Sequence, residues 1–137
     1  MSESEGPTLY ERIGGEAGVR TLVDNFYRNM ETLPEARTIL AKHHDLADAR
    51  KKLFEYFTGW FGGPPLFISQ YGHPRLRARH MHISINREDR DAWLQCLLPA
   101  LQTMDLDDDL MRDLLEKIVP MADHMRNHPE DDDGNQR

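Results

Sequence analysis

Apolar residues recur along this chain at spacings of three and four, and the strict alternation that half-buried strands need is almost absent. The clearest stripe lies between residues 19 and 30 and consists of Val19, Leu22, Val23, Phe26, Tyr27 and Met30. This spacing places the six side chains on one face of a helix, which must be buried against other helices. The pattern therefore predicts an all-α fold built by packing helix on helix.

Capping and glycine signals predict where the first helices begin and end. Thr8 and Glu11 have the spacing of a capping box, in which each side chain bonds the backbone N–H of the other residue. The short helix that they open should stop at Gly14-Gly15, and the helix with the apolar stripe follows it. Another helix is predicted from about Leu46 to Phe61, where Gly62-Gly-Pro-Pro65 ends it.

The second half of the chain has a less regular pattern. The stretch from Leu66 to Gly72 lacks strong periodicity and is predicted to be irregular. Asn86 and Asp89 have the spacing of a further helix cap. The acidic stretch from Asp105 to Asp109 should start the last helix, because carboxylates complement the positive end of the helix dipole. Pro99 lies inside the helix that Asn86 opens, and Pro120 lies inside the last helix. Each proline should bend its helix or remove one backbone hydrogen bond.

The segment His73-Pro-Arg-Leu-Arg-Ala-Arg-His80 joins a helix-start signal, three arginines and a histidine. Pro74 suits the first turn of a helix, since its missing N–H would be unpaired there anyway. In a helix that begins at Pro74, Leu76 and His80 share one face and arginines lie on another. An imidazole on an apolar face beside guanidiniums suits a large, flat, apolar ligand with acidic substituents, such as haem. A solvated arginine-rich turn with one core histidine is the alternative for this segment taken alone.

Charge and hydropathy limit the partners of this protein. A net charge of −7 argues against duplex nucleic acid, whose phosphates demand clustered basic residues. No apolar run approaches the roughly 20 residues that span a bilayer, and the acidic first residues lack the apolar core of a signal peptide. Cys96 is the only cysteine, so an internal disulfide is impossible, and it suits a small buried hydrophobe better than a nucleophile. We therefore expect a cytoplasmic protein with no nucleic-acid and no membrane partner.

Several short motifs occur in a fixed order along the chain: Gly14-Gly15, Phe26-Tyr27, Gly62-Gly-Pro64, Gly72-His-Pro74, Leu76-Arg-Ala-Arg-His80 and Asp91-Ala-Trp93-Leu94. In this order and spacing the sequence resembles a truncated haemoglobin of group II. The resemblance implies a globin-like, 2-on-2 helical sandwich around a haem. It also implies a minimal first helix and a long loop before the haem-linking helix. The stretch 66–72 falls where that loop is expected.

The same resemblance suggests domain limits and haem contacts. The globin domain should span residues 8–126, between a flexible extension (1–7) and a disordered acidic tail (127–137). His80 matches the proximal ligand to the iron of haem b, and Arg79 matches the residue that pairs with a haem propionate. Lys52 occupies a position that can pair likewise, although both cations could instead be solvated surface charges.

The distal side of the haem should differ from that of ordinary globins. Tyr27 and Trp93 match distal residues whose O–H and N–H groups point toward a bound ligand. The position of the distal histidine falls on Ala49, which leaves an open path to the iron, and Leu53, one turn on, is apolar. Neither of these two side chains donates a hydrogen bond.

Pro34 allows a second short helix toward Leu40. Members of this family often carry an aromatic residue just after that helix, and here the place is filled by His43 or His44. The count from Pro34 favours His43, but a length difference of one residue leaves the register open. His43 is a candidate sixth ligand to the iron. In the alternative, both histidines face water.

We therefore expect a haem protein that binds oxygen, nitric oxide, carbon monoxide or peroxide. Donors over bound oxygen slow its release, which favours redox or detoxification chemistry over transport. The activity would be that of a peroxidase or a nitric oxide dioxygenase, with an unidentified reductase as partner. One alternative is a hexacoordinate electron-transfer or sensor protein, and another is a non-haem interaction domain. The chain could be a monomer or a homodimer.

Overall fold

The computed structural model describes residues 6–43, 45–73 and 85–125, and the regular structure in these ranges is helical. The elements, in chain order, are α1 (Leu9–Ile13), α2 (Gly15–Thr32), a 3-10 turn (Pro34–Ala36), α3 (Arg37–Ala41), α4 (Leu46–Trp60), α5 (Leu66–Tyr71), α6 (Arg87–Gln102) and α7 (Asp108–His124). No strand occurs in these ranges. The predicted all-α class is confirmed.

The four long helices form two pairs. Helix α2 packs on α4, and α6 packs on α7, while α2 also lies against α6 and so joins the two pairs. The short helix α1 contacts both α2 and α7, and α5 packs on α4. This arrangement is the predicted 2-on-2 sandwich, in which each long helix buries one face against another helix.

The hydrophobic core lies between the two pairs. Every residue of the predicted stripe on α2 is buried, and the other pair contributes Leu97 and Leu101 from α6 with Leu114 and Ile118 from α7. Each fully buried aliphatic or aromatic side chain contributes about 1.5–3 kcal/mol relative to exposure. The apolar stripes therefore account for how the helices face one another.

The helix ends follow the predicted chemistry. The Glu11 backbone N–H donates to Thr8 Oγ1 at 3.0 Å, and the Thr8 N–H donates to a Glu11 carboxylate oxygen at 3.0 Å. Gly14 has a φ of 113°, a left-handed conformation that lets the chain end α1 and start α2 without a spacer. The cap formed by Asn86 and Asp89 is also present.

The prediction of an irregular stretch between Leu66 and Gly72 is wrong, because residues Leu66–Tyr71 form α5. A helix this short is not stable alone. It is held by tertiary contacts: the buried Phe67 packs its ring 4.7 Å from that of Tyr71, and the Tyr71 hydroxyl donates to Glu55 on α4. Such contacts between distant segments leave no signal in the local spacing of apolar residues.

The prolines inside the last two helices do not end them. Pro99 lies within α6 and Pro120 within α7, and both helices continue past these residues. The Asn29 side-chain amide donates to the Cys96 carbonyl at 2.9 Å and so ties α2 to the turn of α6 that precedes Pro99. Across the described ranges, no helix combines the length and the apolar character that a membrane span requires.

Candidate functional site

Phe26 is the centre of a cluster of rings that unites residues from three segments. Its ring centroid lies 4.9 Å from that of Tyr27 and 5.1 Å from that of Trp93, both in edge-on geometry. The His43 ring stands edge-on to Tyr27 at 6.1 Å. We call these four residues the Phe26 cluster. It brings together Tyr27, His43 and Trp93, three residues for which the sequence predicted distal roles.

The hydroxyl of Tyr27 is a buried donor without a partner in the described part of the chain. The residue is 4% exposed, and no described residue forms a hydrogen bond with it. Burial raises the pKa of Tyr27 well above its ordinary value, and the Arg50 guanidinium, 5.7 Å from the ring centroid, lowers it only in part. The hydroxyl is therefore protonated. A buried hydroxyl without a partner costs about 1–3 kcal/mol, so its position points to a ligand.

Trp93 carries a second donor on a ring that packs against Phe26. The side chain is half-buried, and its indole N–H has no hydrogen-bond partner among the described residues. Its position on α6 is set one turn earlier by Asp89, which caps the helix and accepts from the Lys42 ammonium at 2.7 Å. Because Lys42 precedes His43, this contact also fixes the end of α3 against α6.

The ring of His43 is held in one orientation. Its Nδ1 lies 2.8 Å from the carbonyl oxygen of Ile39, one turn earlier in α3. A carbonyl only accepts hydrogen bonds, so Nδ1 carries the proton of the neutral ring and Nε2 carries the lone pair. This is the tautomer in which Nε2 can bind a metal ion or accept a hydrogen bond.

A row of apolar side chains on α4 is only half-buried. Ala49, Leu53, Tyr56 and Trp60 follow one another at spacings of four, three and four, so they share one face of the helix. We call them the α4 row. The hydroxyl of Tyr56 has no hydrogen bond within the described residues, and burial raises the pKa of Tyr56 to about 12. The sequence analysis missed Tyr56, although its spacing from Leu53 places it on this face.

The predicted propionate partner Lys52 lies away from the Phe26 cluster. Its ammonium pairs with Asp48 at 3.1 Å and lies 5.4 Å from the Tyr71 ring centroid, with the side chain 43% exposed. The other predicted contacts, His80 and Arg79, and the alternative His44, lie outside the described residues, so their roles remain predictions.

A buried carboxylate joins α4 to α5, and the sequence analysis missed it. Glu55 is 6% exposed and accepts from Lys51 at 2.9 Å, Gln70 at 2.8 Å and the Tyr71 hydroxyl at 3.0 Å. We call these four residues the Glu55 cluster. Burial by itself would raise the pKa of Glu55, but the three hydrogen bonds outweigh it and hold the pKa below its ordinary value. The only local signal was the i, i+4 pair of Lys51 and Glu55.

Replacing Glu55 with glutamine should lower the free energy of unfolding at pH 7 by about 1–3 kcal/mol, since a charged acceptor of three hydrogen bonds is lost. The pKa of Glu55 is lower in the folded than in the unfolded protein. Its contribution is therefore present above the unfolded pKa, about 4.3, and is lost as the pH falls through the folded pKa. Below about pH 4.3 the wild type should lose stability more steeply than the variant.

Urea unfolding followed by circular dichroism at a series of pH values measures this effect. The matched control is Glu16→Gln, which removes an exposed i, i+4 pair with Arg20 at 3.0 Å and should cost less than about 1 kcal/mol. Equal losses for the two variants would show that burial adds nothing to the Glu55 contacts.

The single cysteine is not a nucleophile. Cys96 is fully buried on α6, and burial, with a smaller contribution from Glu35, raises its pKa to about 11. A thiol with this pKa is protonated at neutral pH. This agrees with the expectation of a small buried hydrophobe. Within the described ranges, no group of three or more histidine, cysteine or acidic side chains could hold a metal ion.

Comparison with known proteins identifies the family. The sequence profile of the bacterial-like globin family matches residues 8–127. The chain belongs to this family.

Similar proteins include truncated haemoglobins of group II, whose name describes the 2-on-2 fold seen here. The chain is 36% identical over 124 residues to the group 2 truncated hemoglobin YjbI of Bacillus subtilis, covering 90% of this chain and 92% of that protein. The group II 2-on-2 hemoglobin of Agrobacterium tumefaciens superposes with a TM-score of 0.87 at 41% identity, covering 93% of this chain and 99% of that one. A cold-adapted truncated hemoglobin from Pseudoalteromonas haloplanktis superposes with a TM-score of 0.86 at 36% sequence identity, covering 89% of this chain and 99% of that one.

Family membership implies haem as cofactor and the binding of small diatomic ligands such as oxygen. The described residues fit that cofactor. The α4 row offers a half-buried apolar surface to a flat macrocycle, and Tyr27 and Trp93 offer two donors without partners to a polar ligand. A flat apolar cofactor that carries a small polar ligand would suit both features.

Proposed function

We propose that this protein holds haem b through His80 and uses it for redox or detoxification chemistry on oxygen, nitric oxide or peroxide. Oxygen transport is the less suitable role. The observation that carries the proposal is a pair of donors, the Tyr27 hydroxyl and the Trp93 indole, that bond no described residue and whose rings both pack edge-on against Phe26. When bound, the haem supplies an iron that takes up diatomic ligands and exchanges electrons.

The Phe26 cluster supplies the polar part of the ligand site. Dioxygen or peroxide bound at the haem would carry partial negative charge, and O–H and N–H donors held in place by packing would stabilise that charge with little reorganisation. Tyr27 can only donate there, because burial keeps its hydroxyl protonated. Slow oxygen release leaves time for bound oxygen to react with nitric oxide. Oxygen transport, in contrast, requires rapid release.

Lysine and arginine side chains would hold the acidic edge of the haem. We propose Arg79 and Lys52 as the partners of the propionates. Lys52 is suitable because its present partner, Asp48, is 50% exposed, and an exposed i, i+4 pair is worth only about 0.3–0.5 kcal/mol. Exchange of Asp48 for a propionate therefore costs little. Ala49 and Leu53 would lie against the distal face, and neither side chain blocks it with a polar group.

The absorption spectrum of the purified protein, with haem added where needed, tests the haem assignment. An intense near-ultraviolet band that shifts with carbon monoxide is expected, and its absence would favour a non-haem interaction domain. The redox part is tested by mixing the oxygen-bound protein with nitric oxide and measuring nitrate, and by following the band after addition of peroxide. Turnover in both assays needs a reductase or a chemical reductant. The oligomeric state is a separate question, and size-exclusion chromatography distinguishes a monomer from a homodimer.

His43 supports a second candidate function, that of a hexacoordinate electron-transfer or sensor protein. Its Nε2 carries the lone pair and its ring lies beside Tyr27, as a sixth ligand would require. Movement toward the iron would give up the bond to Ile39, at about 1 kcal/mol, and external ligands would then compete with the imidazole.

The ferric spectrum separates the two roles of His43. If His43 coordinates the iron, the protein without added ligand should be low-spin, and His43→Ala should convert it to high-spin, whereas His44→Ala should not. A wild type that is fully high-spin, with bound water across neutral pH, would contradict coordination and leave His43 as a ring that packs edge-on to Tyr27.

A further inference from the structure

The Glu55 cluster contains a tyrosine whose proton already points at a base. The Tyr71 oxygen lies 3.0 Å from one carboxylate oxygen of Glu55 and 3.2 Å from the Lys51 ammonium. An ammonium only donates, so the phenol oxygen accepts from Lys51 and its own proton is directed at Glu55. Because the pKa of Glu55 is held low, this carboxyl group is ionised at neutral pH and can accept that proton.

This arrangement is absent at the other tyrosines. The chain has four, and all lie within the described ranges: Tyr10, Tyr27, Tyr56 and Tyr71. Only Tyr71 bonds a carboxylate through its hydroxyl in those ranges. A phenol loses an electron far more readily when its proton can leave to a nearby base at the same time. Tyr71 is therefore the tyrosine best prepared for one-electron oxidation.

The position of Tyr71 connects it with the proposed haem site. Its ring lies 4.7 Å from Phe67, and Phe67 lies 6.1 Å from Tyr56, which belongs to the α4 row. On the other side, the Tyr71 ring lies 5.4 Å from the ammonium of Lys52, the proposed propionate partner. The rings of Tyr56, Phe67 and Tyr71 therefore form a chain that connects the α4 row with the Glu55 cluster.

We propose that Tyr71 donates one electron to the haem site during peroxide reduction and that Glu55 takes up its proton. This inference rests on the proposed haem function. Hydrogen peroxide takes two electrons and two protons to become two molecules of water. One electron comes from Tyr71: its O–H bond breaks, the electron goes to the haem site, and the proton goes to Glu55. The haem would supply the second electron, and the two protons taken up in forming water come from solvent. Two equivalents of a one-electron reductant of the ascorbate or phenol class then restore the haem and the tyrosyl radical, and the proton on Glu55 returns to the Tyr71 oxygen.

Freeze-quench electron paramagnetic resonance of the haem-loaded protein, mixed with one equivalent of hydrogen peroxide, tests this proposal. We expect a radical signal that changes shape when the protein is made with ring-deuterated tyrosine. Tyr71→Phe, which keeps the ring, should remove most of it. Glu55→Gln should slow its appearance about tenfold or more, as expected for loss of a general base. Tyr10→Phe, the matched control, should leave the signal unchanged.

The outcomes separate this proposal from the proposed function. A near-ultraviolet haem band that does not respond to peroxide would overturn both the peroxide chemistry and the role of Tyr71. A band that responds, with a tyrosyl signal that survives in Tyr71→Phe or forms at the wild-type rate in Glu55→Gln, would overturn the role of Tyr71 alone. Spin trapping followed by peptide mapping gives an independent readout, in which the adduct is expected on the peptide that contains Tyr71.

Discussion

Replacing His80 with glycine should weaken haem retention by more than about a hundredfold. This is a larger loss than the roughly 10–100-fold loss of metal affinity caused by removing a residue that only hydrogen-bonds a metal ligand. The iron would lose its protein ligand, while the apolar contacts of the macrocycle would remain. Haem titration and the rate of haem transfer to an acceptor globin measure the effect. Added imidazole should partly restore the spectrum, because it can fill the vacated coordination position.

The control for His80→Gly is His124→Ala, in which an exposed histidine in the last turn of α7 is removed. Its haem retention should equal that of the wild type. If haem retention and the axial-ligand spectrum are unchanged in His80→Gly, His80 is not the proximal ligand. It would then be a core or surface histidine.

Replacing Tyr27 with phenylalanine should accelerate oxygen dissociation about ten- to a hundredfold. Loss of a hydrogen bond to a partly charged acceptor costs about 1.5–3 kcal/mol, which corresponds to that range. Trp93→Phe should act in the same direction through the indole N–H. Carbon monoxide is a poorer acceptor, so its dissociation should change less. Laser photolysis and stopped-flow ligand replacement measure both rates.

The structure adds a condition to this second prediction. Because the Tyr27 hydroxyl bonds no described residue, Tyr27→Phe breaks no hydrogen bond of the fold in those ranges, and the haem-free variant should be as stable as the wild type or slightly more stable. Tyr10→Phe serves as the control for both measurements. Equal acceleration of the two gases would indicate altered access to the site and would contradict hydrogen bonding as the cause.

Helices with a regular apolar stripe or a capping box could be predicted from the sequence. The stripe on α2 and the Thr8–Glu11 box depend only on residues three or four positions apart, and both are confirmed. Family motifs added the 2-on-2 arrangement. The juxtaposition of Tyr27 and Trp93 was predicted through that resemblance, since the two residues are on different helices and no local pattern connects them.

Other features could not be predicted because they depend on contacts between distant segments. Helix α5 has no stripe of its own and is held by Phe67 and by the acceptor Glu55 on α4. The burial of Glu55, and with it the lowered pKa, arises only when α5 covers α4. Tyr56 lay on a predicted helix, and its spacing from Leu53 places it in the α4 row, but only the tertiary structure shows that this row is half-buried.

The sequence by itself determined the long helices with a regular apolar stripe, where they end and which family the chain belongs to, because these depend on short-range spacing and on motifs. Tertiary structure alone decided the tautomer of His43, the lack of a hydrogen-bond partner for the Tyr27 hydroxyl among the described residues, and the direction of the Tyr71 proton. Each of these is set by which donor or acceptor is brought within about 3 Å, and hydrogen bonds are sensitive to distances and angles that residue spacing does not encode.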